Sequence, residues 1–343
     1  MNNILFKLNS LVKSRKHKNS KLRYYIKNGL RWYCTPRFIT ELRLGSVLNS
    51  FDKLEKQEQN YILERVNYYN KLSGSFESKM VKGNDGTELV PVNNLRPGAT
   101  LSNRRVGSMY FFDTYEYMRY FKKDNLASFL FGDITFAPEV PSFVKSRPIG
   151  NDNGNSVLLN LDKNRHFTFV KDNRKFIDKQ DMLIGRAFVD QPHRVRFWEM
   201  YFGHPMCDLG NINKKLGSHP EWNVKPISID QHLDYKYILC LEGNDVASNL
   251  KWVMSSNSVA IMPLPVYETW FMEGTLVPNF HYIEIKPDFS DLIEKLNYYN
   301  AHPQECEQII QNAHTYIKQF QNHKLERLIH LMVIEKYFKA LLP

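Results

Sequence analysis

Residues 235–290 constrain the fold of this 343-residue chain more than any other stretch. Three apolar runs rich in aromatic and β-branched residues occur there: YKYILCLEG, SVAIMP and HYIEI. Glycine or proline ends or closely follows each run, which is typical of a buried strand that enters a turn. Helix-forming residues follow the first and third runs, and this alternation predicts an α/β fold.

The strand that ends at Gly243 leads into a helix predicted around residues 250–254, with Asn244, Asp245 or Ser248 as its cap. Unpaired N–H groups at a helix N-terminus attract anions. Many connections of this kind bind nothing, so an anion site and an ordinary turn both stay open. A second helix is predicted over DFSDLIEKLNYY, with Ser290 and Asp291 in its first turn.

Secondary structure is also predicted for the rest of the chain. Residues 1 to about 70 and residues from 291 onward favour helices, whereas residues 73–106 favour loops or short strands. From residue 109 the pattern predicts a strand over MYFFD, a helix over TYEYMRYF and a strand over SFLFGDI.

Composition limits where the protein works. No window approaches eighteen consecutive apolar residues, and the apolar N-terminal stretch is interrupted by polar residues, so neither a transmembrane helix nor a signal peptide is predicted. The four cysteines are scattered and lack metal-type spacing, which favours reduced thiols in a cytoplasmic protein.

The positive charge is concentrated at the N-terminus. Residues 1–45 contain eleven Lys or Arg residues and a single acidic residue. The net charge of this segment therefore equals the net charge of the whole chain, +10. Apolar and aromatic residues alternate with these charges, which favours a helix at an anionic membrane surface. A solvated tail and a nucleic-acid-binding segment are the alternatives.

Several motifs together resemble glycosyltransferase family 90, and its bacterial lipopolysaccharide branch most closely. They are FFDTYEY, FGDITFAPEVPSFVKSRPI, YKYILCLEG, ASNLKW, SNSV, PVYETWF, HYIEI and DFSDL. The resemblance implies a GT-B fold, with two Rossmann-like domains facing a central cleft, and an inverting mechanism with a UDP-sugar donor. It divides the chain into a basic helical extension (1–72), an acceptor-side domain (73–178, completed by a crossover helix at 324–343) and a donor domain (179–323).

Asp133 is the candidate general base. It follows an apolar strand and Gly132, and a carboxylate at the end of a strand opens into the crevice where α/β folds bind ligands. Asp133 also matches the aspartate of the family's base-bearing motif. The alternative is an aspartate that only caps a turn.

Cations are the candidate ligands of the donor diphosphate. Lys145 and Arg147 lie two residues apart in an extended segment and would point the same way, toward phosphate or toward ordinary surface partners. The resemblance implies phosphate contacts from Arg186 and Arg194, with Arg196 as the alternative if the register shifts. The family's Gly-Ser-Arg is here Gly-Arg-Ala at 185–187, one residue out of register.

The first motif supplies further donor contacts. Gly243 permits close approach of the backbone, Ser248 can bind phosphate or cap the helix, and Lys251 can reach the diphosphate or pair with Glu242. Ala247 belongs to the same motif. Glu268 in PVYETWF is predicted to contact the ribose, as carboxylates near this place do in many GT-B enzymes.

The sequence therefore predicts a peripheral enzyme at the inner face of the cytoplasmic membrane, which transfers a sugar to a lipopolysaccharide core or related glycan. No DxD motif is present, so positive side chains rather than a metal are expected to stabilise the departing diphosphate. No cofactor and no nucleic acid partner are expected. A non-catalytic sugar-nucleotide-binding protein of the cell envelope is the main alternative, and a basic nucleic-acid-binding protein is the other.

Overall fold

The computed structural model describes residues 17–77, 82–213 and 219–342. Part of the predicted basic segment lies outside the described residues, namely Lys7, Lys13, Arg15 and Lys16. The N-terminal stretch considered as a signal peptide lies outside them as well.

The described residues form eleven α-helices, named in chain order: α1 Lys21–Cys34, α2 Arg37–Leu48, α3 Lys56–Tyr69, α4 Ser108–Met118, α5 Lys163–His166, α6 Pro192–Tyr201, α7 Ile229–His232, α8 Leu250–Met254, α9 Leu292–Ala301, α10 Pro303–Lys318 and α11 His323–Ala340. Short 3-10 helices occupy Phe51–Lys53, Val92–Asn94, Phe176–Asp178, Pro220–Trp222 and Glu273–Thr275.

The strands are short and lie mostly in the second and third quarters of the chain. They are β1 Phe76–Glu77, β2 Val90–Pro91, β3 Thr100–Leu101, β4 Arg104–Arg105, β5 Leu126–Leu130, β6 Ser142–Val144, β7 Ser146–Pro148, β8 Ser156–Leu158, β9 Gln180–Ala187, β10 Cys207–Asn211, β11 Tyr235–Leu239, β12 Val259–Met262, β13 Tyr267–Thr269, β14 Ile283–Glu284 and β15 Leu341–Leu342.

The chain divides into two compact units. The five-strand unit contains residues 17–19, Arg165–Pro265 and Thr275–Gln319. The four-strand unit contains Ser20–Asn164, Val266–Gly274 and residues 320–342, and therefore includes α11.

The five-strand unit is built on a parallel sheet with strand order β10-β9-β11-β12-β14. Apolar side chains of the sheet, such as Leu183, Tyr237 and Ile261, pack against aromatic and aliphatic residues of α6, α9 and α10, including Trp198 and Leu292. Strands that are buried along most of their length need nearly continuous apolar runs, which is why YKYIL and VAIM form β11 and β12.

The four-strand unit contains a sheet of order β2-β5-β6-β8, in which β5, β6 and β8 are parallel and β2 is antiparallel. Three two-stranded pairs accompany it: β7 with β13, β3 with β4, and β1 with β15. The predicted α/β class is confirmed, with parallel strands in both units. The GT-B arrangement and the predicted domain boundaries stay predictions.

The prediction of a strand over MYFFD was wrong. These residues belong to α4, and Phe111, Thr114 and Met118 are buried at helical spacing on one face. Aromatic residues favour strands only weakly, so packing of this face decides the conformation. The prediction of a cap for α8 was also wrong, because Asn249 occupies the N-cap position and its Nδ2 donates to the carbonyl oxygen of Leu239 over 2.9 Å.

The predictions of helices before residue 70 and after residue 291 are confirmed within the described ranges. Short strands at 76–77, 90–91, 100–101 and 104–105 match the prediction for residues 73–106. Among residues 17–77, 82–213 and 219–342, no helix combines the length and the apolar character needed to cross a membrane.

Candidate active site

Asp133 and Lys145 meet at the carboxyl edge of the four-stranded sheet. Asp133 follows β5 and Lys145 follows β6, and these parallel strands are paired up to Leu130 and Val144. Residues that leave the carboxyl ends of neighbouring parallel strands are brought together. The Nζ of Lys145 donates to Oδ1 of Asp133 over 2.5 Å.

The two partners of this ion pair differ in exposure. The Lys145 side chain is 1% exposed and that of Asp133 is 30% exposed. A buried ammonium that donates a charge-assisted hydrogen bond fixes the direction of the carboxylate and stabilises its negative charge. The pair therefore presents a partly exposed, oriented carboxylate, which is what a general base requires.

The backbone around Asp133 is held in place by its neighbours. Gly132 has a φ of +113°, and a Cβ on it would lie 2.8 Å from a guanidinium nitrogen of Arg104. This torsion lies in the region that favours glycine, whereas the Arg104 side chain could shift to relieve the contact. On the other side, the Ser146 hydroxyl accepts from the Ile134 N–H over 3.0 Å and donates to the Ile134 carbonyl. Asp133 is thus fixed from both directions along the chain.

Arg147 and Glu268 form a buried ion pair in the four-strand unit. They are register partners in the antiparallel pair β7–β13, and Arg147 Nε donates to Glu268 Oε1 over 2.8 Å. Arg147 also donates to the carbonyls of Tyr68 and Ser156, and the Tyr68 hydroxyl donates to Glu268 Oε2. Both side chains are essentially buried, at 0% and 2% exposed. This geometry is that of a structural pair, and the donor contacts predicted for both residues stay predictions.

Arg194 and Gly243 meet in the five-strand unit. Arg194 lies in the first turn of α6, which follows β9, and donates to the carbonyls of Leu241 and Glu242 after β11 and of Phe188 after β9. A Cβ on Gly243 would lie 3.3 Å from Arg194 Nη2, so the close approach expected of Gly243 is made to this guanidinium.

This contact lies at the topological switch point of the parallel sheet. In the sheet, β9 and β11 are neighbours, β10 lies on the outer side of β9, and β12 lies on the outer side of β11. The connections that follow β9 and β11 therefore leave in opposite directions. Ligands of α/β proteins bind at such a crevice. Within the described part of the chain, Arg194 has no carboxylate at ion-pair distance, and burial lowers its pKa. A half-buried cation matched mainly by carbonyl dipoles favours a bound anion.

Arg186 has different partners. Its guanidinium donates to the carboxylate of Asp208 on β10 over 2.7 Å and to the carbonyl of the same residue. The Tyr235 hydroxyl donates to the other carboxylate oxygen over 2.6 Å. Arg186 is therefore neutralised by a carboxylate, in contrast to Arg194, and the phosphate contact predicted for it stays a prediction.

The remaining predicted donor residues flank α8. Ala247 is buried before the helix, Ser248 is exposed beside the Asn249 cap, and Lys251 is fully buried within α8. These positions bring Ser248 near the start of α8, as predicted, whereas Lys251 faces the interior. Their predicted roles are likewise untested by this geometry.

Sequence reasoning missed three residues that determine the geometry. Asp208 was not recognised as the partner of Arg186, although a charged residue within β10, the strand that neighbours β9, could have suggested it. Tyr68 reaches Glu268 across 200 positions of sequence, and no local pattern indicates this contact. Gln191 donates to the Asn244 side chain over 3.1 Å and so links the connections after β9 and β11.

A cavity of about 930 Å³ lies elsewhere in the four-strand unit, among α1, α2, α4 and α11. It contains none of the predicted site residues. The cavity is therefore distinct from the candidate active site.

Similarity to known proteins decides the family. The profile described as Glycosyl transferase family 90 matches residues 193–341. The chain is also 38% identical, over 94% of its length and 96% of the relative's, to a Dichelobacter nodosus protein named O-glucosyltransferase LpsA. The chain belongs to glycosyltransferase family 90. The predicted family membership is confirmed, and the coarse activity follows: the protein is a glycosyltransferase.

Two further relatives share shorter segments with this family 90 glycosyltransferase. A zebrafish (Danio rerio) protein named Protein O-glucosyltransferase 2 is 31% identical over 25% of this chain and 17% of its own length. A Frog virus 3 protein named Uncharacterized protein 027R is 32% identical over 34% of this chain and 12% of its own.

Proposed function

We propose that this protein is an inverting glycosyltransferase that moves a sugar from a UDP-sugar to a hydroxyl of a lipopolysaccharide core or related glycan. The observation that carries the proposal is the contact of Asp133 with Lys145, which supplies an oriented, partly exposed carboxylate in a chain of a sugar-transferring family. Because the bacterial relative is named an O-glucosyltransferase, UDP-glucose is the first donor to test. The GT-B fold implied by the resemblance belongs to the proposal.

Asp133 acts as the general base. The acceptor oxygen attacks the anomeric carbon from the face opposite the diphosphate, and the new C–O bond forms while the bond from that carbon to the phosphate oxygen breaks. The acceptor proton moves to the Asp133 carboxylate, and UDP leaves with the bonding electrons. This single displacement inverts the anomeric configuration. Lys145 is a positioning residue that directs the carboxylate.

The donor diphosphate binds at the switch point of the five-strand unit. The Arg194 guanidinium supplies positive charge there, and the dipole of α6 adds to it. Gly243 keeps the connection after β11 close to this guanidinium. These groups stabilise the charge that develops on the leaving UDP, and the proposal requires no metal for this task. Arg186, Ser248, Lys251 and Ala247 are further donor residues of the proposal.

The enzyme works at the inner face of the cytoplasmic membrane. The basic residues among positions 1–45 are attracted to anionic lipid head groups, at about 1 kcal/mol for each cation near the surface. A lipid-linked glycan presented at this surface is the proposed acceptor.

Two measurements test the activity. Thermal unfolding is followed with UDP, GDP, CMP and ADP, with EDTA present throughout, because a ligand that binds only the folded state raises Tm. A shift with UDP alone supports both the donor class and metal-independent binding. Turnover is then measured with a panel of UDP-sugars, UDP-glucose first. UDP binding without turnover of any donor would favour a non-catalytic binder, and no shift with any nucleotide would remove the donor assignment.

The base role is tested with Asp133→Asn, and Asp124→Asn is the matched control. Asp124 is exposed and precedes the amino end of β5, the strand that Asp133 follows. We expect Asp133→Asn to lower turnover by about 100-fold or more, as for loss of a general base, while UDP still binds. The control Asp124→Asn should leave turnover and UDP binding unchanged. Undiminished turnover in Asp133→Asn would remove the base role.

A further inference from the structure

Helices α1 and α2, which follow one another in the chain, each expose large apolar side chains. On α1 these side chains recur at helical spacing, and two more follow on α2; each is more than half exposed. The six residues, called here the apolar face, are Leu22, Ile26, Leu30, Tyr33, Phe38 and Leu42. Tyr33 and Leu42 are 78% and 79% exposed. Clustered exposure of this kind marks an interaction site, whereas single exposed apolar residues are ordinary.

The opposite side of α1 is fixed to α4, so the outward direction of the apolar face is determined by packing. The Tyr24 hydroxyl donates to Asp113 Oδ1 over 2.8 Å, and Arg31 pairs with Glu116 over 2.7 Å. The ring of Trp32 packs edge-on against Phe111. A rotation of α1 that buried Leu22 or Leu30 would break these contacts.

Helix α2 is fixed to the same part of the unit. Arg37 donates to the carbonyl of Phe121 over 2.6 Å, and the Thr40 hydroxyl donates to the carbonyl of Arg119 over 2.9 Å. Both partners lie just after α4. The apolar residues of α1 and α2 are therefore presented by one rigid support.

Positive charge surrounds the apolar face. Lys21, Arg23 and Lys27 are exposed on α1, and Arg43 is exposed on α2. The sequence of α1 contains no acidic residue, and the single acidic residue of α2, Glu41, pairs with Arg37 over 3.1 Å. An apolar stripe with cations at its flanks is complementary to the interface of an anionic bilayer, where apolar side chains enter the acyl region and the cations stay among the head groups.

We propose that the apolar face inserts into the interfacial layer of an anionic lipid bilayer and lies parallel to the membrane surface. This inference deepens the proposed membrane attachment, since it names insertion of specific side chains, in addition to charge attraction, as the cause of binding. It does not depend on the identity of the donor sugar. The attachment would hold the four-strand unit, which carries Asp133, at the surface that presents a lipid-linked acceptor.

The test measures binding of the full-length protein to sedimented vesicles. Vesicles of phosphatidylcholine alone are compared with vesicles containing phosphatidylglycerol, at low and high salt. The apolar variant is Leu22→Ser/Leu30→Ser/Leu42→Ser, which keeps every charge. The matched control is Ile177→Ser/Leu264→Ser/Val277→Ser, which changes three apolar residues of the five-strand unit that are each at least half exposed.

We expect the wild type and the control to bind phosphatidylglycerol vesicles and to retain part of this binding at high salt, because insertion is not screened. The apolar variant should bind at least tenfold more weakly at both salt concentrations. Equal binding of the apolar variant and the wild type would overturn the proposal and leave charge alone as the cause. Absence of vesicle binding by the wild type would also overturn it.

Two additional measurements distinguish other causes. If the wild type sediments as a dimer that the apolar variant dissociates, the face is an interface between copies, and the proposal fails. UDP-induced thermal shifts are measured on all variants, since α1 and α2 contain no proposed donor residue. A normal shift in the apolar variant together with lost vesicle binding supports insertion. If the apolar variant loses both the UDP-induced thermal shift and vesicle binding, it is misfolded. The milder variant Leu42→Ser then tests insertion: weaker vesicle binding with a normal thermal shift supports the proposal, and unchanged vesicle binding overturns it.

Discussion

Replacement of Glu268 by glutamine distinguishes a structural ion pair from a ribose contact. In the protein, Glu268 Oε1 accepts from Arg147 Nε over 2.8 Å and Oε2 accepts from the Tyr68 hydroxyl. Glutamine keeps the shape of the side chain but removes its charge and retains one acceptor oxygen. Arg147 then keeps its hydrogen bonds to main-chain carbonyls but loses the carboxylate that balances its charge.

The expected loss in the free energy of unfolding is large because the side chains of Arg147 and Glu268 are both buried, at 0% and 2% exposed. Breaking a buried pair by removing one partner typically costs about 3–5 kcal/mol, since the other charge stays desolvated. For a domain the size of the four-strand unit, each kcal/mol lowers Tm by roughly 2–4 °C. We therefore expect Glu268→Gln to lower Tm by on the order of 10 °C.

The assay combines thermal unfolding with calorimetric titration of UDP into the folded protein. Glu64→Gln is the matched control, because Glu64 is exposed on α3, the helix that carries Tyr68. The control should leave Tm unchanged, and both variants should bind UDP as the wild type does. An unchanged Tm combined with UDP binding weakened tenfold or more would refute the structural assignment and support the predicted ribose contact.

Three further predictions concern other residues. Arg194→Lys should weaken UDP binding about tenfold in calorimetric titration, because lysine cannot replace the fork of guanidinium donors. The control Arg196→Lys, on the exposed side of α6, should bind UDP as the wild type does. Gly185→Ala should lower the free energy of unfolding, measured with urea, by about 1–3 kcal/mol, because the added Cβ would lie 2.8 Å from a methyl group of Leu209. An unaltered free energy of unfolding would contradict this contact. Burial holds the pKa of His330 well below 6.5, so protons bind preferentially to the unfolded state. The contribution of neutral His330 to the free energy of unfolding should thus be fully present above about pH 6.5. Below that pH, the free energy of unfolding should fall by up to about 1.4 kcal/mol per pH unit. The dependence should flatten in His330→Phe, and an identical pH profile would rule His330 out as its source.

The sequence alone determined the elements that depend on local pattern. The apolar runs of β11 and β12 and the helices from α9 to α11 follow from periodicity and turn residues, and the motifs that contain them identify the family. Asp133 was singled out because it follows an apolar strand and a glycine. These features lie within short windows of the chain, so they are readable without a structure.

Local pattern was insufficient at α4 and at the start of α8. MYFFD has aromatic residues that suit a strand, but its buried positions have helical spacing once Phe111 and Thr114 pack inside the four-strand unit. Asn249 occupies the N-cap position of α8 without a side-chain capping hydrogen bond. Its side chain instead donates to the carbonyl of Leu239, a contact between neighbouring elements that no local cap pattern indicates.

Only the tertiary structure decided which charges meet. Two arginines predicted as equivalent phosphate ligands differ because Arg186 pairs with Asp208 on a neighbouring strand, whereas Arg194 is surrounded by carbonyl oxygens at the switch point. Glu268 lies 121 positions after Arg147 and becomes its partner only through the antiparallel pairing of β7 and β13. Periodicity and propensity act over a few residues, whereas the partner of a charge is fixed by strand order and register, which join segments far apart in the chain.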